Sequence, residues 1–280
     1  MVEMDKKQLR MLQMIELEML LEVDRICRKY QIQYQIIGGT LLGAVRHKGF
    51  IPWDDDADLT MLRSEYRRFR KVCRKELDPS KYYFQDAETT EGYRWSYGKL
   101  RRKDTLFLRE HQEHMPYEQG VFIDIFPVDH VPDAYILRAV YDFRCFCIRK
   151  ILWSEVGKYA DQSFVKRKWY SLMSLIPYKA VIRHYLRMAD RQNARKSRYA
   201  RIALMPLPNK GFGYRREWYL KSRDYCFEGY PLKGIRDFHD FLTYEFGDYM
   251  RLPPKEQRKV HPVSKLKVME NALYKEKISG

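Results

Sequence analysis

"GGTLLGAVRHKGFIPWDDDADLTML", residues 38–62, places four aspartates within five positions and closes on apolar residues, in a chain whose formal net charge is +16. The glycine pair ends a short strand pattern, "YQII" (34–37), and a helical pattern from about Thr40 to His47 stops at Gly49. After the aspartates, "ADLTML" (57–62) reads as a strand. Asp56 and Asp58 stand two apart, which in a strand puts both carboxylates on one face with Cα atoms ~7 Å apart. Such acids repel unless a cation lies between them, and hard oxygen ligands without His or Cys partners select Mg²⁺ or Mn²⁺. Glycines between a strand and a helix let backbone amides approach a phosphate at the helix N-terminus. A third acid, Asp124, sits in the apolar strand pattern "VFIDIFPV", where a lone charge needs a partner. Glycine pair, helix, paired acids and a later acid are together the parts of a metal-dependent phosphoryl-transfer site. The plainer reading is a solvated acidic loop with Asp58 as a local cap.

Outward from this stretch, residues 5–30 show a helical period with Asp5 as N-cap, and 64–77 read as a second amphipathic helix ended by Asp78-Pro79. From Tyr82 to Val128 the pattern is mostly β, in "YYFQ", "YRWSYGKLRR", "TLFLRE" and "VFIDIFPV". Residues 134–200 become helical and basic. The tail from Leu204 is turn-rich, with a helix expected at about 234–246 and a Pro253-Pro254 stop. A hydrophobic share of 45% and aromatics at 15% argue for a buried core rather than disorder. No apolar run approaches the ~18 residues that span a bilayer, and the charged N-terminus does not read as a signal peptide. Five cysteines, an odd number at irregular spacing, suit reduced thiols and a cytoplasmic setting. The basic balance calls for a polyanionic partner: nucleic acid, an anionic membrane face or a phosphate-rich substrate.

The stretch "IIGGTLLGAVRHKGFIPWDDDADL" (36–59) resembles the signature of the LicD family, of the nucleotidyltransferase-fold superfamily shared with fukutin-type proteins. "GVFIDIFPVD" (120–129) resembles its second block and "FEGYPLKGIRDFHDFLTYEFGDYMRLPP" (227–254) its C-terminal block, leaving 134–200 poorly matched. The resemblance implies an α/β (α+β) fold: a nucleotidyltransferase-like mixed sheet with flanking helices, plus a basic helical part. The division expected is a catalytic core over 1–133, a basic helical lobe over 134–203 and a C-terminal block over 204–280 packing on the core. The implied activity is transfer of a phospho-alcohol, phosphocholine from CDP-choline being favoured, to a sugar hydroxyl of a cell-surface glycan precursor, releasing CMP. Its glycine pattern falls on Gly38 and Gly39, its paired metal acids on Asp56 and Asp58, and its third acid on Asp124. These three aspartates are the expected catalytic and Mg²⁺ (or Mn²⁺) residues, with Asp54 a further candidate ligand. Ala57 and Thr60 depart from the family pattern while leaving the acids intact.

Other groups are candidates for substrate contacts. Thr40 follows the glycines, and Arg46, His47 and Lys48 precede the aspartates, where a cation would neutralise phosphate charge; a solvated helix end is the alternative. In "EGYRWSYGKL" (91–100) strand alternation would put Tyr93, Trp95, Tyr97 and Lys99 on one face. An aromatic face recognises quaternary ammonium groups, although sheet packing explains it as well; Lys99 is a candidate for a donor phosphate. Residues 179–201 space Arg183, Arg187, Arg191 and Arg195 as a basic helical stripe, behind the aromatic "KWYSLMSLIPY" (168–178). That pairing suits an anionic membrane surface or a solvated helix packed on the core. The expected partners are a CDP-alcohol donor and a glycan or lipid-linked glycan acceptor, with the protein cytoplasmic or peripheral at the inner membrane face. No recognition motif points to nucleic acid. Two rivals remain: nucleotidyl transfer from an NTP, and a non-enzymatic membrane- or nucleic-acid-binding protein on the same fold.

Overall fold

Asp5 starts the first helix, α1 (Lys6–Lys29), by a reciprocal cap. Its carboxylate accepts from the Gln8 amide at 2.7 Å and the Gln8 side chain accepts from the Asp5 amide at 3.1 Å, worth ~1 kcal/mol. The apolar stripe Leu12, Ile15, Leu20, Val23 and Cys27 is buried as the spacing demands. The computed structural model describes residues 4–206, 213–258 and 260–279.

The strands are β1 (Gln35–Ile36), β2 (Asp58–Leu62), β3 (Tyr82–Gln85), β4 (Gly98–Arg102), β5 (Leu106–Arg109), β6 (Phe122–Val131), β7 (Tyr199–Arg201), β8 (Tyr214–Arg215), β9 (Ser222–Phe227), β10 (Tyr230–Ile235) and β11 (Val263–Lys267). The further helices are α2 (Gly38–Arg46), α3 (Arg63–Glu76), α4 (Tyr135–Ala160), α5 (Phe164–Ser174), α6 (Tyr178–Asn193), α7 (Phe238–Phe246) and α8 (Ala272–Ser279). One mixed sheet runs in the order β3-β4-β6-β2-β1-β10-β9, with β7 joining the far end of β6 and β8 pairing with β7. β2 and β6 are parallel, as are β1 and β10, and the remaining pairs are antiparallel. The fold is thus α+β with a mixed sheet. β6 lies deep in the sheet with only His130 of its ten residues not buried, which explains its near-continuous apolar run.

Two apolar clusters matter for the site. The larger joins α1, α2, α3 and the sheet; a second joins α4 and α6 around Tyr141, Leu152, Ile182 and Tyr185. A buried polar knot links them. Arg63 donates from Nε and Nη2 to the two Asp129 oxygens at 2.8 and 2.5 Å, and Tyr185 and Asn193 of α6 donate to the same carboxylate at 2.9 and 2.7 Å.

The structure corrects four local expectations. The helix after the first strand begins at Gly38, two residues early, so the glycines form its first turn. The strand pattern of "YRWSYGKLRR" holds only from Gly98; Tyr93, Trp95 and Tyr97 precede it and share no strand face. The helix expected at 234–246 starts at Phe238, because 230–235 pair with β9 as a strand. The basic stripe ends with α6 at Asn193, so Arg195 lies beyond the helix, while Arg183, Arg187 and Arg191 are exposed upon it.

Candidate active site

Parallel pairing of β2 with β6 puts Asp58 opposite Asp124, and antiparallel pairing of β4 with β6 puts Lys99 opposite the same residue. Cross-strand partners project to the same side of a sheet, so two acids and one lysine converge by register alone. Lys99 Nζ donates to Asp124 Oδ1 at 2.5 Å, with both side chains almost wholly buried. Burial holds the Lys99 ammonium down to about 7, against the opposing attraction of Asp124.

Asp56 lies two residues before β2, outside the strand, so loop geometry rather than strand alternation brings it to the cluster. The loop is held from three sides. Gln13 of α1 donates to the carbonyl of Asp54 at 3.0 Å. Thr40 Oγ accepts from the Asp58 amide at 2.8 Å, so this buried hydroxyl fixes the acid-bearing backbone. Asp55, buried, accepts from the amide and Nδ1 of His261 at 2.9 and 3.1 Å, and His261 Nε2 reaches 3.7 Å from Asp56 Oδ2.

The glycines admit the acids closely. A Cβ on Gly39 would lie 2.6 Å from Asp54 Oδ2, and Gly38 has φ +54° with Asp58 Oδ2 3.6 Å from where its Cβ would be. The cluster is electrostatically overloaded. Burial, then Asp56 and Asp55, push Asp54 up to about 8. Burial, then Asp56, Asp124 and Asp54, hold Asp58 well above the ordinary carboxylate range, and burial likewise raises Asp56 against the pull of His261. Glu16 of α1 joins them: buried, with Oε2 making no hydrogen bond, it is raised by burial and by Asp56, Asp55, Asp54 and Asp58.

Among the described residues, no three Asp, Glu, His or Cys side chains already stand as a finished metal-ligand set. The donor chemistry nevertheless fits a hard divalent cation: crowded carboxylates, an unpartnered buried Glu16 oxygen and a glycine cradle. Such a cation would relieve the repulsion that keeps these acids from ionising together.

The other candidates disperse. Arg46 turns to the C-terminal block, donating to the Tyr249 carbonyl at 2.8 Å and to His47 Nε2 at 2.9 Å; Lys48 is exposed. Trp95 meets Trp153 of α4 at 6.0 Å between ring centroids, Tyr97 meets Phe126 at 4.7 Å, and Tyr93 is fully buried against Tyr117. Trp95, Tyr97 and Trp153 are shared by two adjoining hollows. One, about 90 Å³, is lined by Lys99, Arg101 and Arg109; the other, about 360 Å³, by Arg94, Arg149 and Lys150. The cations lining both hollows suit anionic groups beside the aromatic rings.

Sequence reading missed Glu16, His261, Arg109 and Trp153. Glu16 had a local signal, an acid on the apolar face of α1. His261 had none, because 206 residues separate it from Asp55.

Acids paired across parallel strands beside a glycine-opened helix form a pocket whose chemistry suits a phosphate and a hard cation. Residues 31–144 match the family model described as LicD/FKTN/FKRP, nucleotidyltransferase domain. Over 269 residues, 95% of this chain and 100% of the relative, the protein is 29% identical to the lipopolysaccharide cholinephosphotransferase LicD of Haemophilus influenzae. It is also 24% identical over 142 residues to an uncharacterized protein of Rickettsia prowazekii, spanning 51% of this chain and 48% of that one.

Proposed function

We propose that the protein transfers a phospho-alcohol, with phosphocholine from CDP-choline favoured, to a sugar hydroxyl of a lipopolysaccharide-type glycan precursor, releasing CMP. The observation that carries this reading is the register of Asp58, Asp124 and Lys99 on three adjacent strands. Full-length similarity to a lipopolysaccharide cholinephosphotransferase supports the choice of donor and acceptor.

Asp56, Asp58 and Asp124 would hold Mg²⁺ or Mn²⁺, which supplies charge neutralisation to the donor diphosphate. Lys99, Arg101 and Arg109 line the hollow beside Asp124 and bind donor phosphate oxygens. Gly38 and Gly39 let the phosphates approach the first turn of α2, where amides and the helix dipole favour negative charge. The acceptor oxygen attacks the phosphorus that carries the alcohol; the new O–P bond forms as the P–O bond to CMP breaks. Asp124, with Oδ1 held by Lys99, takes the hydroxyl proton on its other oxygen. Trp95 and Trp153 wall the path along which the acceptor reaches this point.

A second reading, nucleotidyl transfer from an NTP, draws on the domain description of the matching family. The test incubates the protein and Mg²⁺ with lipooligosaccharide acceptor and CDP-choline, CDP-glycerol, CDP-ribitol, CTP or ATP, resolving nucleotide products by ion exchange. CMP release with one CDP-alcohol, abolished in Asp58→Asn, is the expected result. Pyrophosphate release from CTP or ATP alone would replace this reading with nucleotidyl transfer.

A further inference from the structure

The helical lobe leaves a large apolar face uncovered. Of the nineteen exposed large apolar side chains among the described residues, twelve lie between Ile136 and Ile176. Phe143 and Phe146 of α4, Val165, Trp169 and Leu172 of α5, and Leu175 in the link that follows, are each 46 to 76% exposed. A groove of about 860 Å³ runs between α4, α5 and that link, and another of about 390 Å³ lies on the other side of Cys147 and Ile151, against the start of α6. Contiguous apolar surface of this extent marks an interaction face rather than scattered exposure.

The charge around it identifies the occupant. Residues 134–203 contain sixteen Lys and Arg against four Asp and Glu, a net +12 of the chain's +16. Arg183, Arg187 and Arg191 stand exposed on α6, and Lys150 lines the larger groove. A second copy of this face would bring two such positive lobes together, which repels self-association. A nucleic acid would satisfy the cations but leave Phe, Leu and Trp facing water. Negative headgroups above acyl chains satisfy both. Among the described residues no helix is long and apolar enough to cross a membrane, so the elements would lie in its surface rather than span it.

We propose that the α4–α5 face docks in the plane of an anionic bilayer surface, its apolar side chains entering the acyl boundary and the lobe's lysines and arginines meeting lipid phosphates. Lys150 lines both the apolar groove and the hollow that holds Trp95 and Trp153. Docking therefore sets the mouth of the path to Asp124 at headgroup level, where an acceptor carried on a lipid would enter. The binding itself stands on exposure and charge and does not depend on which group the enzyme transfers.

The experiment floats the full-length protein with vesicles of phosphatidylcholine alone or mixed with phosphatidylglycerol, at low and at raised salt. Wild type should float with the mixed vesicles, far less with phosphatidylcholine, and less as salt rises. Leu172→Asp with Leu175→Asp, and separately Arg183→Glu with Arg187→Glu, should each weaken partitioning ~tenfold or more at an unchanged circular-dichroism melt. Should either double variant misfold, fluorescence quenching of wild type by brominated acyl chains, reduced in Trp169→Phe, reads insertion directly. No flotation with mixed vesicles at low salt would overturn the proposal. So would flotation indifferent to the leucine variants without quenching by brominated chains, or a dimer in sedimentation that the leucine variants abolish without vesicle binding.

Discussion

Asp58→Asn should abolish transfer and at the same time stabilise the metal-free protein. Asparagine keeps the shape of the side chain and removes one charge from a cluster containing Glu16, Asp54, Asp56 and Asp124, relieved chiefly by Lys99 on Asp124 and by His261 beside Asp56. Adjacent strands place Asp58 ~5 Å from Asp124, where like charges at an effective dielectric of ~20 repel by ~3 kcal/mol. Lys99 and the water that still reaches Asp58 offset part of this, leaving an expected gain of ~1–3 kcal/mol. For a chain of this size that is a rise of ~2–10 °C in Tm. The pH sign follows from the raised carboxyl of Asp58. Below ~4 both folded and unfolded states hold the proton and the gain vanishes; above ~4 the unfolded state ionises first, so the wild-type penalty and the gain from Asn grow as pH rises. Thermal melts of wild type and Asp58→Asn in EDTA from pH 4 to pH 9, beside CMP-release assays with Mg²⁺, measure both effects. Activity should fall by ~10² or more. A folded Asp58→Asn enzyme that melts below wild type at high pH, or that retains activity, would refute the picture of an overloaded acid cluster awaiting a cation.

Two further outcomes follow from the geometry. Asp129→Asn leaves the buried Arg63 guanidinium without its counter-charge and should cost ~3–5 kcal/mol in urea unfolding; a loss under ~1 kcal/mol would mean that the knot between the two apolar clusters is not a stabilising contact. Burial alone would raise Asp129, but Arg63, Asn193 and Tyr185 hold it below the ordinary range, so its contribution is present above pH ~4 and lost as acid protonates it below that. Gly39→Ala puts a methyl 2.6 Å from Asp54 Oδ2 and should displace that carboxylate, lowering CMP release ~tenfold or more while Tm moves by under ~3 °C. Unchanged turnover in the folded variant would remove Asp54 from the working site.

The parts of the candidate site that are local in the chain were legible in sequence. Gly38, Gly39, Asp56 and Asp58 occur within twenty-one residues, and the apolar run around Asp124 announced a buried strand holding one acid. Periodicity likewise placed α1 and α3, whose buried stripes follow helical spacing. Where it failed, tertiary pairing overrode local pattern. Residues 230–235 became a strand because β9 offers them a ladder, and the aromatic alternation before Gly98 was not a strand because Trp95, Tyr97 and Tyr93 are each claimed by different neighbours.

By itself, then, the sequence set four aspartates within five positions and with them the expectation of a hard cation, since charge and ligand hardness are properties of residue type. Only the tertiary structure decided that Asp58, Asp124 and Lys99 meet, because inter-strand register is set by the packing of the whole sheet. It alone brought Glu16 and His261 to the same acids from opposite ends of the chain. It also alone showed that the apolar residues of 136–176 remain uncovered, since a helical period tells which residues share a face but not what, if anything, lies against it.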